Sequence, residues 1–198
     1  MCKTEQSAQR QRELEQGLLA AMSTRQYEEI SVSDLCDHMG IPRKSFYRYF
    51  SSKDGALHAL IDHTLLDYEG FSWSMRQGEA QTYQKELERF FQFWKNQKPL
   101  LDALERNNIS GILVTRAINQ ALSDSRRPTR FLLQDERVAR EHAVMFGVCG
   151  LMSMVLSWHH TGYGTEPRKM AEISLHLMTK PLLSESDVHG FGQFSGLW

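Results

Sequence analysis

The sequence predicts an all-α protein, in which an N-terminal three-helix, helix-turn-helix module precedes a larger helical domain. Apolar residues recur three and four positions apart along nearly the whole chain, and no convincing period-2 pattern predicts a strand. Two short amphipathic segments also meet at Gly40, a residue suited to ending one helix before the next. We expect a domain over residues 1–54, a second over 55–184 and a flexible tail over 185–198.

Composition limits the classes of protein that fit. The 198 residues carry a net charge of −1 and are 41% hydrophobic, so a uniformly cationic coat is excluded and binding to nucleic acid must be local. Three widely separated cysteines favour reduced thiols and a cytoplasmic location. The uncharged run from Ala143 to Trp158 is shorter than the roughly 20 residues of a membrane span. We therefore expect a buried helix there and no membrane association.

The first two predicted helices have clear apolar faces. A capping-box pattern, Ser31-x-x-Asp34, marks the start of the second helix, and Gly40 is expected to end it in the left-handed conformation. The face of the first helix comprises Leu14, Leu18 and Met22. The face of the second comprises Val32, Leu35, Cys36 and Met39.

The third predicted helix begins at Pro42, a residue that suits a first helical turn. Phe46 and Phe50 lie four residues apart and are expected to point into the core. Ser51 or Ser52 can cap a fourth helix, which would connect the module rigidly to the rest of the chain. The apolar stripe of this fourth helix is Leu57, Leu60, Ile61, Thr64 and Leu65.

Further helices are predicted over roughly residues 80–97, 98–107, 109–123, 133–160 and 167–182, with a solvated loop beginning at Asp124. The second half of the 133–160 helix is apolar on nearly all faces, which is typical of a helix buried on all sides. In a protein of this size, we expect a second subunit to cover one of those sides.

Positive charge is concentrated on the third helix. Between Ile41 and Lys53 the chain has four cations and no acid. A helix that enters the major groove reads bases from its N-terminal residues, so Arg43, Lys44 and Ser45 are candidates for contacts to base edges. The alternative is that these residues form the solvated face of a short helix.

Other polar residues nearby are candidates for holding the protein on the DNA backbone. Arg48 suits either bases or phosphates. Ser31 and Ser33 lie at the N-terminal end of the second helix, where a phosphate is favoured by the helix dipole.

The segment Gly40-Ile-Pro-Arg-Lys-Ser-Phe-Tyr-Arg-Tyr-Phe-Ser-Ser-Lys53 resembles the recognition helix of the tetracycline-repressor (TetR) family of bacterial regulators. The resemblance extends from Leu14 to Leu65. This wording and the later Trp158-His-His-Thr-Gly-Tyr-Gly are similar to the branch that includes dihydroxyacetone-operon-type regulators. Pro42 and Lys44 depart from the residues that are frequent in the family, so no known operator sequence is carried over.

The resemblance implies a ligand-responsive, sequence-specific regulator of transcription, most often a repressor. It implies a homodimer that binds a pseudo-palindromic operator in double-stranded DNA and responds to a small-molecule effector. It assigns phosphate contacts to Tyr47, Tyr49 and Lys53, although either tyrosine can instead be part of the core.

The resemblance also implies an effector cavity in the second domain and a dimer interface on the last two helices. The pocket candidates, each of which can instead be an ordinary core residue, are Phe90, Phe93, Trp94, Met145 and Met152. The candidates for the dimer interface are Val144, Leu151, Met154, Trp158, Ile173 and Leu177.

Two other functions are compatible with the sequence. One is an interaction protein or coactivator of the same fold that does not itself bind DNA. The other is a helical metalloenzyme that uses His58, Asp62 or His142. His58 and Asp62 have the spacing of metal ligands on a helix, but no third ligand is evident. Because no catalytic or cofactor-binding motif occurs, we expect no enzymatic activity, no metal and no cofactor.

Overall fold

The computed structural model describes residues 3–75, 82–123 and 137–180, and within these residues the fold is all-α. The predicted tail over 185–198, the predicted loop from Asp124 and Cys2 lie outside the described residues. The helices are α1 (Lys3–Met22), α2 (Val32–His38), α3 (Arg43–Tyr47), α4 (Lys53–Met75), α5 (Tyr83–Asn96), α6 (Lys98–Arg106), α7 (Ser110–Ser123), α8 (Arg137–His160) and α9 (Pro167–Thr179). A 3-10 turn, Tyr27–Glu29, lies between α1 and α2.

The module of α1, α2 and α3 is organised by the local signals that the sequence carries. The predicted capping box forms, since the Asp34 amide donates to Ser31 Oγ at 3.0 Å and the Ser31 amide donates to Asp34 Oδ2 at 3.1 Å. Hydrogen bonds from the hydroxyl and the amide of Ser31 hold the pKa of the Asp34 carboxyl below its usual value. Gly40 has φ +64°, so the predicted left-handed turn is confirmed. The core contains the predicted faces of α1 and α2, with Leu14, Leu18, Met22, Leu35 and Cys36 fully buried.

Helix α4 runs from the core of this module into the second domain. Ser52 caps it by accepting a hydrogen bond from the Gly55 amide at 3.1 Å. The predicted stripe of α4 is buried throughout, and the helix contacts α1 on one side and α5 and α7 on the other. Helix α4 therefore connects the second domain to the N-terminal module.

Two carboxylate contacts fix α1 against α4. The Glu15 side chain is 0% exposed, and both of its oxygens lie 2.8 Å from His63 Nδ1. Nearer the protein surface, the Arg12 guanidinium makes two hydrogen bonds of 3.0 and 2.9 Å to the Asp67 carboxylate. The first contact is the energetically important one, because a buried carboxylate needs a partner while an exposed ion pair adds little.

A buried amide joins the N-terminal module to α6. Asn107, directly after α6, accepts a hydrogen bond from the Tyr27 amide at 2.5 Å. Its own amide group donates to the Ala103 carbonyl at 2.7 Å and to the Met22 carbonyl at 3.5 Å. One side chain therefore satisfies backbone groups of both domains, as buried polar groups require.

In the second domain, α9 packs on α5 and α8 packs on α7. Helix α8 is not buried on all sides within the protomer, because Phe146 is 77% exposed. The expectation that a second subunit covers this side stays a prediction. Among the described residues, Glu141–His160 is the stretch with the length and hydropathy of a membrane span, and 22% of that stretch is buried. Such a helix is weak evidence for a membrane, since apolar helices of soluble proteins meet the same criteria.

Candidate nucleic-acid interface and effector pocket

The N-terminal end of α3 stands out from the module. Arg43, Lys44 and Arg48 are exposed, and Ser45 is half-buried. The Ser45 amide donates to the Pro42 carbonyl at 2.8 Å, which starts the helix without a side-chain cap. The three cationic residues predicted to contact bases or phosphates therefore have solvent-exposed side chains.

Two phenylalanines hold α3 in this position. Phe46 and Phe50 are buried as predicted, and their ring centroids are 5.5 Å apart. The turn before α3 is also tied down, because the Ile41 amide donates to the Cys36 carbonyl of α2 at 2.9 Å. The cationic side chains therefore project from a backbone whose position is set by packing.

The two tyrosines of this segment have different environments. Tyr47 is 49% exposed, with its ring 5.7 Å from that of Phe46 in an edge-to-face contact. Tyr49 is half-buried and packs against the core. This agrees with the alternative that one of the two tyrosines is part of the core. Tyr47 is consequently the better placed of the pair for a phosphate contact.

Lys53, predicted to bind phosphate, already has a partner within the protein. Its ammonium donates to the Tyr27 carbonyl and lies 4.1 Å from the centroid of the Tyr27 ring. The Tyr27 hydroxyl donates to Asp54, and burial together with this carboxylate raises the pKa of Tyr27.

The two serines predicted to contact phosphate lie at the start of α2. The Ser31 hydroxyl donates to Asp34, at 2.7 Å, while Ser33 is half-buried. Phosphate contacts by Lys53 and Ser31 would require these bonds to be shared or exchanged.

A cavity of about 130 Å³ lies where α4, α5, α7 and α8 meet. Three predicted pocket residues, Phe90, Trp94 and Met152, line it. Phe93 is buried but is not among the lining residues, and Met145 is 42% exposed at the surface of α8 instead of facing the cavity. The remaining lining residues, which the sequence analysis missed as pocket residues, are Leu65, Tyr68, Ala117, Gln120, Val148 and Leu151.

The predicted dimer interface needs one correction. Trp158 is 3% exposed, and its indole N–H donates to the Thr165 carbonyl at 2.8 Å, so it belongs to the core of the protomer. Ile173 and Leu177 on α9 are exposed, as an interface within a dimer requires. Val144, Leu151 and Met154 on α8 are half-buried. The exposed face of α8 instead carries Phe146, Gly150, Ser153 and Ser157.

Asp62, one of the residues considered for a metal site, has another partner, because Arg116 Nε donates to its Oδ1 at 2.7 Å. Within residues 3–75, 82–123 and 137–180, no group of three or more histidine, cysteine or acidic side chains is arranged to hold a metal ion.

The fold and the cationic helix define the class of the protein: it has a helix-turn-helix DNA-binding domain joined to an all-helical second domain. Residues 18–60, from α1 to the first two turns of α4, match the model for bacterial regulatory proteins of the tetR family. This match is confined to the N-terminal domain, which is therefore similar to the DNA-binding domain of tetR-family regulators. Family and fold together support a regulator of transcription.

Solved structures share the overall fold. The dihydroxyacetone kinase operon activator DhaS is 14% identical with a TM-score of 0.54, over 85% of this chain and 93% of that chain. The fatty acid degradation regulator FadR from Bacillus halodurans is 13% identical with a TM-score of 0.58, over 87% and 96%. A tetR-family transcriptional regulator from Streptomyces coelicolor is 19% identical with a TM-score of 0.52, over 89% and 79%.

At such identities the likeness shows the fold alone, so membership of the dihydroxyacetone-operon-type branch stays a prediction. No curated protein matches the sequence.

Proposed function

We propose that the protein is a cytoplasmic, ligand-responsive transcription regulator that binds a pseudo-palindromic operator as a homodimer and acts as a repressor. The observation that carries the proposal is the acid-free, cationic α3, exposed at its start and braced from below by Phe46 and Phe50. The protein acts by binding, with no catalytic step.

In the bound state, two copies of α3 about 34–36 Å apart enter successive major grooves. Arg43 and Lys44 donate to O6 and N7 of guanine, and Ser45 approaches a neighbouring base edge. Tyr47 and Arg48 contact phosphates and set the register of the helix in the groove.

Apolar surface on the last two helices supports the homodimer. Phe146, Ile173, Leu177 and Met178 are exposed large apolar side chains on α8 and α9. Contiguous exposed apolar surface is typical of protein–protein interfaces. Gly150 and Ser153 lie on the same exposed face of α8 and are small enough to let a partner helix approach closely. Two copies of α8 and α9 would then form a four-helix interface.

The Phe146→Glu substitution tests this interface. We expect the variant to be monomeric at micromolar concentration, because each subunit would bury a carboxylate without a partner in the interface. Sedimentation velocity measures the change. Leu66→Glu, which places the same charge on an exposed leucine of α4, is the control and should stay dimeric. A dimeric Phe146→Glu protein would contradict the proposed interface.

The effector acts through α4 in this proposal. The cavity touches Leu65 and Tyr68 of α4, and the same helix packs on α1 of the DNA-binding module. An effector that fits the cavity better in one dimer geometry shifts the population towards it and changes the separation of the two α3 helices.

Salt dependence of binding to genomic DNA distinguishes this proposal from a coactivator of the same fold that does not bind DNA. If each subunit contacts two to four phosphates, the logarithm of the binding constant should fall with the logarithm of salt concentration with a slope of roughly −4 to −7. Fluorescence anisotropy at several salt concentrations measures this slope. Binding that is absent, or independent of salt, would favour the coactivator.

A further inference from the structure

The residues that line the effector cavity indicate the charge of the ligand that it can bind. Among the described residues that line it, none is charged, and most are aliphatic or aromatic. A charged ligand would lose its hydration there without gaining an opposite charge, which is strongly unfavourable. The lining therefore selects a neutral molecule.

One of the lining residues, Trp94, has a buried polar group without a partner among the described residues. The indole Nε1 of Trp94 is buried and makes no hydrogen bond to the described part of the chain. The Trp94 side chain is fully buried, and edge-to-face contacts hold its ring against Phe90 at 6.3 Å and Phe93 at 5.5 Å. Since an unpaired buried donor is costly, a bound molecule that accepts this hydrogen bond removes the penalty of leaving the indole N–H unpaired.

The size of the cavity limits the size of the ligand. Apolar cavities of roughly 150 Å³ hold a molecule as large as benzene. At about 130 Å³, this cavity fits a compact molecule of about six non-hydrogen atoms, or the corresponding part of a longer one.

We propose that the effector is a small, neutral, mainly apolar molecule with an acceptor oxygen of the ketone, ester or ether type, which accepts a hydrogen bond from Trp94 Nε1. The inference rests on the proposed function in taking this cavity as the effector site. It adds the chemical class of the ligand and makes Trp94 the residue that determines polar specificity.

Cyclopentanone and methylcyclopentane form the test pair, because both are five-membered rings with six non-hydrogen atoms and only cyclopentanone has an acceptor oxygen. We expect the ratio of their affinities, cyclopentanone over methylcyclopentane, to be about fivefold lower in Trp94→Phe than in the unchanged protein, which is the net effect of one neutral hydrogen bond. Phe90→Leu is the matched control: it also enlarges the cavity but removes no donor, so it should leave the ratio unchanged. An unchanged ratio in Trp94→Phe, or failure of both probes to bind the unchanged protein, overturns the proposal.

Two measurements on the unchanged full-length protein keep the test decisive if Trp94→Phe does not fold. The nitrogen-15 spectrum should show the Trp94 indole N–H resonance moving downfield with cyclopentanone and not with methylcyclopentane. Cyclopentylammonium, a charged probe of the same size, should bind at least tenfold more weakly than cyclopentanone. Equal responses of the resonance to both neutral probes, or equal binding of the charged probe, overturns the inference.

All of these experiments are made without DNA. A negative result therefore leaves the DNA-binding assignment intact, and a loss of DNA binding leaves the results on the ligand intact.

Discussion

Replacing Arg43 and Lys44 together by alanine is expected to lower the preference for operator over scrambled DNA by at least about 100-fold. Each good contact from a cationic side chain to guanine contributes roughly 1–3 kcal/mol of discrimination, and each subunit loses two of them. Both side chains are exposed, so the variant should fold and dimerise normally. Selection of bound fragments from the host genome supplies the operator, and anisotropy titrations give the ratio.

The matched control removes the same charge elsewhere. Lys95→Ala combined with Arg106→Ala takes two exposed cations from α5 and α6 and should keep the operator preference. If the variant of Arg43 and Lys44 also keeps its preference, sequence is read elsewhere and the role assigned to α3 is wrong. If the control loses preference equally, the effect reflects net charge and carries no information about bases.

The His63→Ala substitution should lower the free energy of unfolding by about 2 to 4 kcal/mol. It leaves the fully buried Glu15 carboxylate without the partner that lies 2.8 Å away, and breaking a buried pair from one side typically costs 3–5 kcal/mol. The lower range is appropriate because the His63 side chain is 27% exposed, so water can reach part of the vacated site. Urea unfolding followed by circular dichroism, at one fixed protein concentration, measures the change.

Two further variants test whether the loss of stability in His63→Ala comes from the unpaired Glu15 carboxylate. His58→Ala removes the same residue type five residues earlier on α4 and should change stability by less than about 1 kcal/mol. Adding Glu15→Met to His63→Ala should recover most of the loss, since the unpaired carboxylate is then gone. No recovery in this double variant would mean that His63 stabilises the protein through packing alone.

The helix-turn-helix module could be predicted closely because its signals are local. Gly40 sits at a position that needs positive φ, Ser31 and Asp34 cap each other three residues apart, and Phe46 and Phe50 share one face of a helix. Each of these features depends on neighbours within four residues, a range over which the sequence determines geometry.

The faces of α8 could not be predicted in the same way. A helix that is apolar all round offers no contrast between its sides, so the pattern gave equal weight to Trp158, which is buried, and to Met145, which is exposed. The outer face of α8 is marked by Phe146 and by small residues such as Gly150, a signal that a count of large apolar residues overlooks.

Contacts between segments that are distant in the chain also could not be predicted from the sequence. The cavity is assembled from four helices, and residues such as Tyr68 and Gln120 become neighbours only through packing. Tyr68 continues the predicted stripe of α4 three residues beyond Leu65, so extension of that stripe could have included it. Glu15 and Asn107 are polar residues within apolar patterns, but the pattern does not identify the partners they bind.

The amide of Asn107 has a consequence for protein engineering. Because it satisfies the Tyr27 amide and the Met22 carbonyl, a chimera that joins the first 54 residues to an unrelated sensor domain would leave two backbone groups without their partner at the domain junction. A functional chimera therefore has to include the end of α6 together with the DNA-binding module, or supply an equivalent side chain from the new sensor domain.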